Sequence, residues 1–169
     1  MKTRKLTTMA LLCAIALTIY IIEAQIPLPI SIPGVKLGLA NIVTVYAVYA
    51  LGAREGAMIL FARIFLGAIF SGNFSAIIYS AAGGALAILT TIGLKFVIRE
   101  TQIWIAGCLG AIAHSLGQLV VAIWASGAPS LLLYLPVLIL CSIVTGLFTG
   151  LCAQILVRKG KDLWKTIFK

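Results

Sequence analysis

Long apolar runs separated by short polar segments dominate this 169-residue chain. A helix needs roughly 20 apolar residues to cross the hydrocarbon core of a bilayer. The pattern therefore predicts an all-α integral membrane protein, with six transmembrane helices in a single domain, residues 1–169. The predicted spans are residues 6–26, 37–51, 56–70, 76–97, 103–125 and 131–157.

The second and third predicted spans are short and only GAREG, residues 52–56, separates them, so the distribution of charge decides how they are counted. Basic residues precede span one, lie between spans two and three and between four and five, and follow span six. The opposite loops carry only Lys36. Because cytoplasmic loops are enriched in Lys and Arg, we expect six spans, both termini in the cytoplasm, and a multi-pass protein of the inner (cytoplasmic) membrane.

Composition supports this class of protein. The chain is 62% hydrophobic and 10% charged, whereas soluble domains are about 45–50% apolar and about 25% charged. The net charge of +9 lies in short clusters between apolar runs, so it indicates membrane topology and no nucleic-acid partner. The first apolar run is longer than the core of a secretory signal and no clear cleavage site follows it, so we expect a retained helix.

Polar side chains interrupt the outer half of four predicted helices. Arg63 follows Arg54 by nine residues and should lie about 13–14 Å deeper, near the midplane. An ionisable group at such depth costs at least ~2.5–3.5 kcal/mol unless it meets a partner or a wet cavity, so it indicates function by default. The predicted ligand-binding residues are Glu23, Lys36, Asn41, Arg63, His114 and Gln118.

Structural alternatives remain open for these residues. Arg63 pairing with Glu23 would only brace helices one and three. His114 and Gln118, one helical turn apart, would form an interhelical hydrogen-bonding pair. Lys36 lies near the interface, where a long side chain reaches water cheaply.

The connection between the first two helices is rich in proline. Pro27, Pro29 and Pro33 should end helix one and hold the chain extended, and Gly34 permits the turn into helix two. One hypothesis makes this connection a lid over the outer mouth of a ligand cavity, and the alternative is a rigid spacer. Asn41 would then either meet the ligand or satisfy backbone groups freed around Pro33.

Catalytic motifs do not occur in the sequence. The four acidic residues are scattered, with no pair suited to Mg²⁺ and diphosphate, no P-loop, and no spacing typical of a Ser/His/acid set. The four cysteines lie in apolar runs without a C-x-x-C pair, so no metal site is expected. We expect no enzyme and no cofactor, and active transport would need an energising partner or an ion gradient.

Several segments carry a family resemblance: IPGVKLGLANIVTVYAVYALGAREG, ARIFLGAIFSG, SAAGGALA, GAIAHSLGQLVVA and YLPVLILCSIVTGLFTGL. They resemble the Gx transporter family, which also carries the name heptaprenyl diphosphate synthase component I. That family is in turn similar to the S components of energy-coupling factor (ECF) importers. The resemblance implies a six-helix bundle that binds a small molecule from outside and docks a membrane coupling subunit driven by two ATPases.

On this resemblance, the six polar residues would form the outward pocket, and Ala10 and Ala14 the docking surface. The expected function is capture of a small anionic or zwitterionic solute for uptake. One alternative is an accessory membrane subunit of heptaprenyl diphosphate synthesis. Another is a structural or cofactor-binding subunit of a membrane redox complex.

Overall fold

The computed structural model describes residues 2–23, 25 and 38–167, and the side chains of residues 3–23, 25 and 38–160. Within these residues the regular structure is entirely helical. Two short 3₁₀ helices, Glu100–Gln102 and Pro129–Tyr134, precede the last two α-helices. The six α-helices are α1 (Lys2–Glu23), α2 (Asn41–Ala50), α3 (Ala53–Ser71), α4 (Ser75–Lys95), α5 (Ile103–Ser126) and α6 (Leu135–Ile167).

Four stretches of the described chain are long and apolar enough to cross a membrane: Thr3–Glu23, Ser75–Lys95, Glu100–Ser126 and Pro129–Gly160. They correspond to α1, α4, α5 and α6 and indicate a multi-pass membrane protein. α3 has 19 residues but carries three charged side chains, Arg54, Glu55 and Arg63. Six helices therefore form where six spans were predicted. The cytoplasmic placement of the termini stays a prediction.

α2 is shorter than the sequence suggested. Its 10 residues extend about 15 Å, which is half of a hydrocarbon core of about 30 Å. The predicted span began at residue 37, but the helix begins at Asn41, after Gly38 with a φ of +79°. That left-handed conformation breaks a right-handed helix and is available to glycine at little cost. The first residue of α2, Asn41, is buried.

Glycines bring α5 into close contact with α6. A Cβ added to Gly107 would lie 2.3 Å from the Cα of Gly150, and one added to Gly146 would lie 2.7 Å from the Cα of Cys108. The buried hydroxyls of Ser115 and Ser142 join the same two helices at 2.6 Å. Gly146 and Gly150 have the small-xxx-small spacing that lets two helices approach closely in a membrane, and α5 and α6 pack in this way.

Charged contacts mark one end of the bundle. Lys5 of α1 forms an ion pair with Glu55 at the start of α3. Lys95, the last residue of α4, donates a hydrogen bond of 2.6 Å to the carbonyl of Val48 in the last turn of α2. We call Lys5, Glu55 and Lys95 the charged end. A buried apolar cluster that includes Val45, Val48, Leu60, Ile88 and Ala153 packs α2, α3, α4 and α6 together.

Candidate functional site

Glu23 connects the end of α1 to the start of α2. Its side chain is only 5% exposed, and its carboxylate accepts the backbone N–H groups of Gly38 at 2.5 Å and Ala40 at 3.4 Å. These N–H groups belong to the turn that leads into α2. Because the N-terminal end of a helix carries partial positive charge, a carboxylate there is stabilising. Glu23 thus fixes the beginning of α2 inside the protein.

Gly38 lies where this turn meets α5. A Cβ at this position would come within 2.9 Å of Asn41 Nδ2 and 3.4 Å of His114 Cδ2. Glycine is therefore favoured here both by its positive φ and by lack of space. The backbone at Gly38 brings Glu23, Asn41 and His114 into one contiguous group.

Arg63 lies on α3 and is 4% exposed. Its guanidinium carbon is 5.6 Å from the centroid of the Tyr20 ring, a cation–π distance. Arg63 also interacts electrostatically with Glu23 and with His114, which places it beside the group around Gly38. Its Nε and Nη2 atoms are buried and have no hydrogen-bond partner in the described part of the chain.

His114 is buried near the middle of α5 and is held by α4. Its ring donates a hydrogen bond to the backbone carbonyl of Gly83, and Nδ1 has no hydrogen-bond partner among residues 2–23, 25 and 38–167. The donating nitrogen is therefore Nε2. Gln118, 1% exposed, packs against the same glycine, because a Cβ on Gly83 would lie 2.9 Å from Gln118 Cγ. The interhelical contact expected for this pair thus involves α4.

Asn41 is the first residue of α2 and is 5% exposed. Neither its amide nitrogen nor its amide oxygen has a hydrogen-bond partner within the described residues. Asn41 therefore does not bond the described backbone near it. The structural alternative for Asn41 concerned backbone groups around Pro33 and Gly34, which lie outside the described residues.

We call Asn41, Arg63 and His114, together with Glu23 and Gln118, the polar cluster. The structure brings together five of the six ligand-binding residues predicted from the sequence, all of them buried. The sixth, Lys36, lies outside the described residues, as do the prolines of the proposed lid. Ala10 and Ala14, the predicted docking residues, are both exposed on α1.

Sequence reasoning missed three residues that shape this cluster. Tyr20 precedes Glu23 by three residues, and that helical spacing was the available signal. Gly38 lies in KLGLAN, and Gly83 in the Gly83–Gly84 pair of α4. Neither glycine has a side chain whose chemistry would draw attention, and their roles depend on which helix packs against them.

In chemical terms the polar cluster offers unused hydrogen-bonding capacity in a buried place. Arg63 contributes two donor atoms, Asn41 one donor and one acceptor atom, and His114 one ring nitrogen. Within the described residues, no three His, Cys, Asp or Glu side chains are grouped so that they could hold a metal ion. The arrangement is suited to holding a polar molecule by hydrogen bonds and charge.

Comparison with known proteins places the chain in a family. The model for heptaprenyl diphosphate synthase component I matches residues 12–156. The chain belongs to the heptaprenyl diphosphate synthase component I family. The matched range includes the whole polar cluster, and the expected family is confirmed under its synthase name. The words "component I" imply a partner subunit. No curated protein and no solved structure gave a significant match.

Proposed function

We propose that this protein is a non-catalytic, membrane-embedded binding subunit whose polar cluster holds the charged or strongly polar part of a small molecule. The observation that supports the proposal is the set of unpartnered polar atoms on Asn41, Arg63 and His114. Each of these side chains is at least 95% buried. Buried polar atoms in native proteins are nearly always hydrogen-bonded, so such a concentration calls for a partner.

A ligand-binding role and a purely structural role of the polar cluster differ in energy. Leaving a buried donor or acceptor unsatisfied costs about 1–3 kcal/mol. Arg63 and Glu23 do interact electrostatically, which gives the bracing role some support. However, a structural contact between Arg63 and Glu23 leaves the amide of Asn41 and Nδ1 of His114 without hydrogen bonds to the described residues. A bound ligand would satisfy all three side chains.

Two biological settings suit such a subunit. The family name favours an accessory role in heptaprenyl diphosphate synthesis, in which a partner component would carry the metal-dependent chemistry. The second setting is uptake of a small polar solute from the outer face, with a partner supplying the energy. This second setting requires a site for a polar solute, and the unpartnered donor and acceptor atoms of the polar cluster meet that requirement.

Native mass spectrometry of the gently purified protein tests the binding proposal. We expect a stoichiometric small molecule in the wild type and its loss in Arg63→Ala. Arg54→Ala is the matched control, since Arg54 is exposed on the same helix, and it should retain the molecule. Phospholipid alone in all three proteins would refute the proposal and leave Arg63 as a brace.

The two settings give different results in membranes. An accessory subunit predicts that heptaprenyl diphosphate formation by the partner component falls when this chain is removed and returns with the wild type. An uptake subunit predicts no change in that activity, and accumulation of the identified ligand that depends on this chain. Arg54→Ala should behave as wild type in both assays.

A further inference from the structure

The unpartnered atoms of the polar cluster indicate which chemical groups its ligand carries. An inference of this kind rests on the binding function proposed above. Nε and Nη2 of Arg63 lie on one edge of the guanidinium plane, so their N–H groups are parallel. That edge fits two oxygen atoms of a single carboxylate or phosphate. Tyr20 supports the guanidinium at 5.6 Å, and its ring packs against Gly67, where an added Cβ would lie 2.9 Å away.

His114 requires the opposite kind of group from the ligand. Its other nitrogen is used by the carbonyl of Gly83, and a carbonyl can only accept a hydrogen bond. In a neutral imidazole with one nitrogen donating, the remaining nitrogen is an acceptor. A second proton on the ring would place two positive charges, His114 and Arg63, side by side in a buried site. Nδ1 therefore faces a donor in the bound state.

Asn41 also requires a hydrogen-bond donor on the ligand, whichever way its amide is oriented. Both amide atoms lack a partner among the described residues, so turning the amide over still leaves one donor and one acceptor. An acceptor next to a donor on the ligand is the natural complement. An amide, an amino acid or a ring with an N–H beside a carbonyl carries such an edge.

The charges of Glu23 and Arg63 also favour a ligand with a single carboxylate. Glu23 already places a carboxylate in the polar cluster, and only Arg63 carries a formal positive charge among its five residues. A diphosphate with several negative charges would meet Glu23 as well as Arg63. It would also present only oxygen acceptors to Asn41 Oδ1 and His114 Nδ1 when fully ionised. A single carboxylate balances Arg63 without that repulsion.

We infer that the polar cluster binds a small, nitrogen-bearing carboxylate: a compound with one carboxylate for the Arg63 edge and N–H donors for His114 and Asn41. An amino acid derivative or a heterocyclic carboxylic acid belongs to this class. The diphosphate group of a prenyl diphosphate does not. If the chain works in heptaprenyl diphosphate synthesis, its ligand there is a small effector and the diphosphate is bound by the partner.

The test is the elemental composition of whatever the wild-type protein carries. The protein is purified from membranes in mild detergent and denatured, and the released molecule is identified by exact mass and fragmentation. We expect nitrogen and a carboxylate, with no phosphorus. In Arg63→Lys, which keeps the charge but loses the two-donor edge, we expect occupancy to fall by roughly tenfold or more. Arg54→Lys should leave occupancy unchanged.

A second measurement uses defined probes and the wild-type protein alone. Succinamate, which has a carboxylate and an amide, should raise the unfolding temperature or displace the carried molecule more effectively than succinate. Inorganic diphosphate at the same concentration should do neither. A phosphorus-containing ligand, or stronger binding of diphosphate than of succinamate, overturns this inference and leaves the binding function standing. No released molecule and no effect of any probe overturns both.

Discussion

The two ends of α2 are held by opposite charges from other helices. At its beginning the Glu23 carboxylate accepts N–H groups from the entering turn. At its end the Lys95 ammonium donates to the carbonyl of Val48 and lies 5.8 Å from the centroid of the Tyr49 ring. Both charges have the sign that stabilises a helix terminus. A helix only half as long as the bilayer is thick is thus capped at both ends.

The surroundings of the two ends differ. Near the end held by Lys95, the hydroxyl of Tyr49 is the one buried polar side-chain atom without a partner in the described chain. Near the end held by Glu23 there are five, on Asn41, Arg63 and His114. None of these five atoms makes a hydrogen bond to the described backbone at the start of α2, so none of them caps the helix there. The two ends of α2 therefore differ in how many buried polar atoms lie beside them without a partner, and the end near Glu23 is the one where we propose that a ligand binds.

The largest expected effect comes from removing the carboxylate of Glu23 at the beginning of α2. Glu23→Gln keeps the shape of the side chain but leaves the Arg63 charge buried without its anionic partner. A hydrogen bond to a charged group contributes about 1.5–3 kcal/mol, and Glu23 accepts two such bonds besides interacting electrostatically with Arg63. We expect a loss of stability of about 3 kcal/mol, measured by thermal or denaturant unfolding in a fixed detergent.

The matched control is Glu100→Gln, because Glu100 is exposed. Its unfolding free energy should stay within about 0.5 kcal/mol of wild type. Equal stability of Glu23→Gln and Glu100→Gln would show that the carboxylate does not hold the beginning of α2, and the comparison of the two ends would fail.

Gly38→Ala tests the beginning of α2 by adding a single carbon atom. Its positive φ alone costs about 1–2 kcal/mol for a residue with a Cβ. The new Cβ would also lie 2.9 Å from Asn41 Nδ2. We expect destabilisation of about 2 kcal/mol or more in total, and loss of the carried ligand in native mass spectrometry.

Gly72→Ala is the control for the backbone. Gly72 has a φ of +62° but a Cβ there would meet nothing within 4 Å. It should show the conformational cost with ligand occupancy intact. Equal ligand loss in both variants would mean that the backbone strain, and not the contact with Asn41, is responsible.

The helices themselves were predictable because long apolar runs have a simple physical meaning in a bilayer. The predicted span 103–125 is observed as Ile103–Ser126, and 76–97 as Ser75–Lys95. Burial of Arg63 and His114 also followed, since depth can be counted along a helix from its predicted end. Their connection to Gly83 and Tyr20 could not be predicted, because it depends on how the helices rotate and pack.

The length of α2 was not predictable from hydrophobicity. Residues 37–51 are apolar apart from Asn41, Thr44 and the two tyrosines, so the pattern predicts one span. A left-handed Gly38 interrupts it without any change in polarity. Similarly, the basic residues between spans four and five, which include Lys95, were interpreted as topology signals, whereas Lys95 ends α4 and bonds to the last turn of α2. A long, flexible side chain near a helix end is compatible with both roles.

Lys95→Met tests the structural end of α2. The substitution keeps an unbranched apolar chain and removes the ammonium that bonds to Val48. We expect a stability loss of about 1 kcal/mol, the size of a helix-terminus charge with its hydrogen bond, and full ligand occupancy. Lys95→Arg should recover most of the stability. Ligand loss in Lys95→Met would mean that the two ends of α2 are coupled and not separate in function.

The smallest effect is expected at the ion pair of the charged end. Lys5 is 47% and Glu55 18% exposed, and exposed pairs contribute about 0–1 kcal/mol. Lys5→Glu should therefore destabilise the protein only slightly, and Lys5→Glu with Glu55→Lys should recover the difference. A double-mutant cycle repeated at high salt checks the electrostatic origin, because salt screens exposed charges. A coupling above about 2 kcal/mol, or one insensitive to salt, would show that this pair is as structurally important as Glu23.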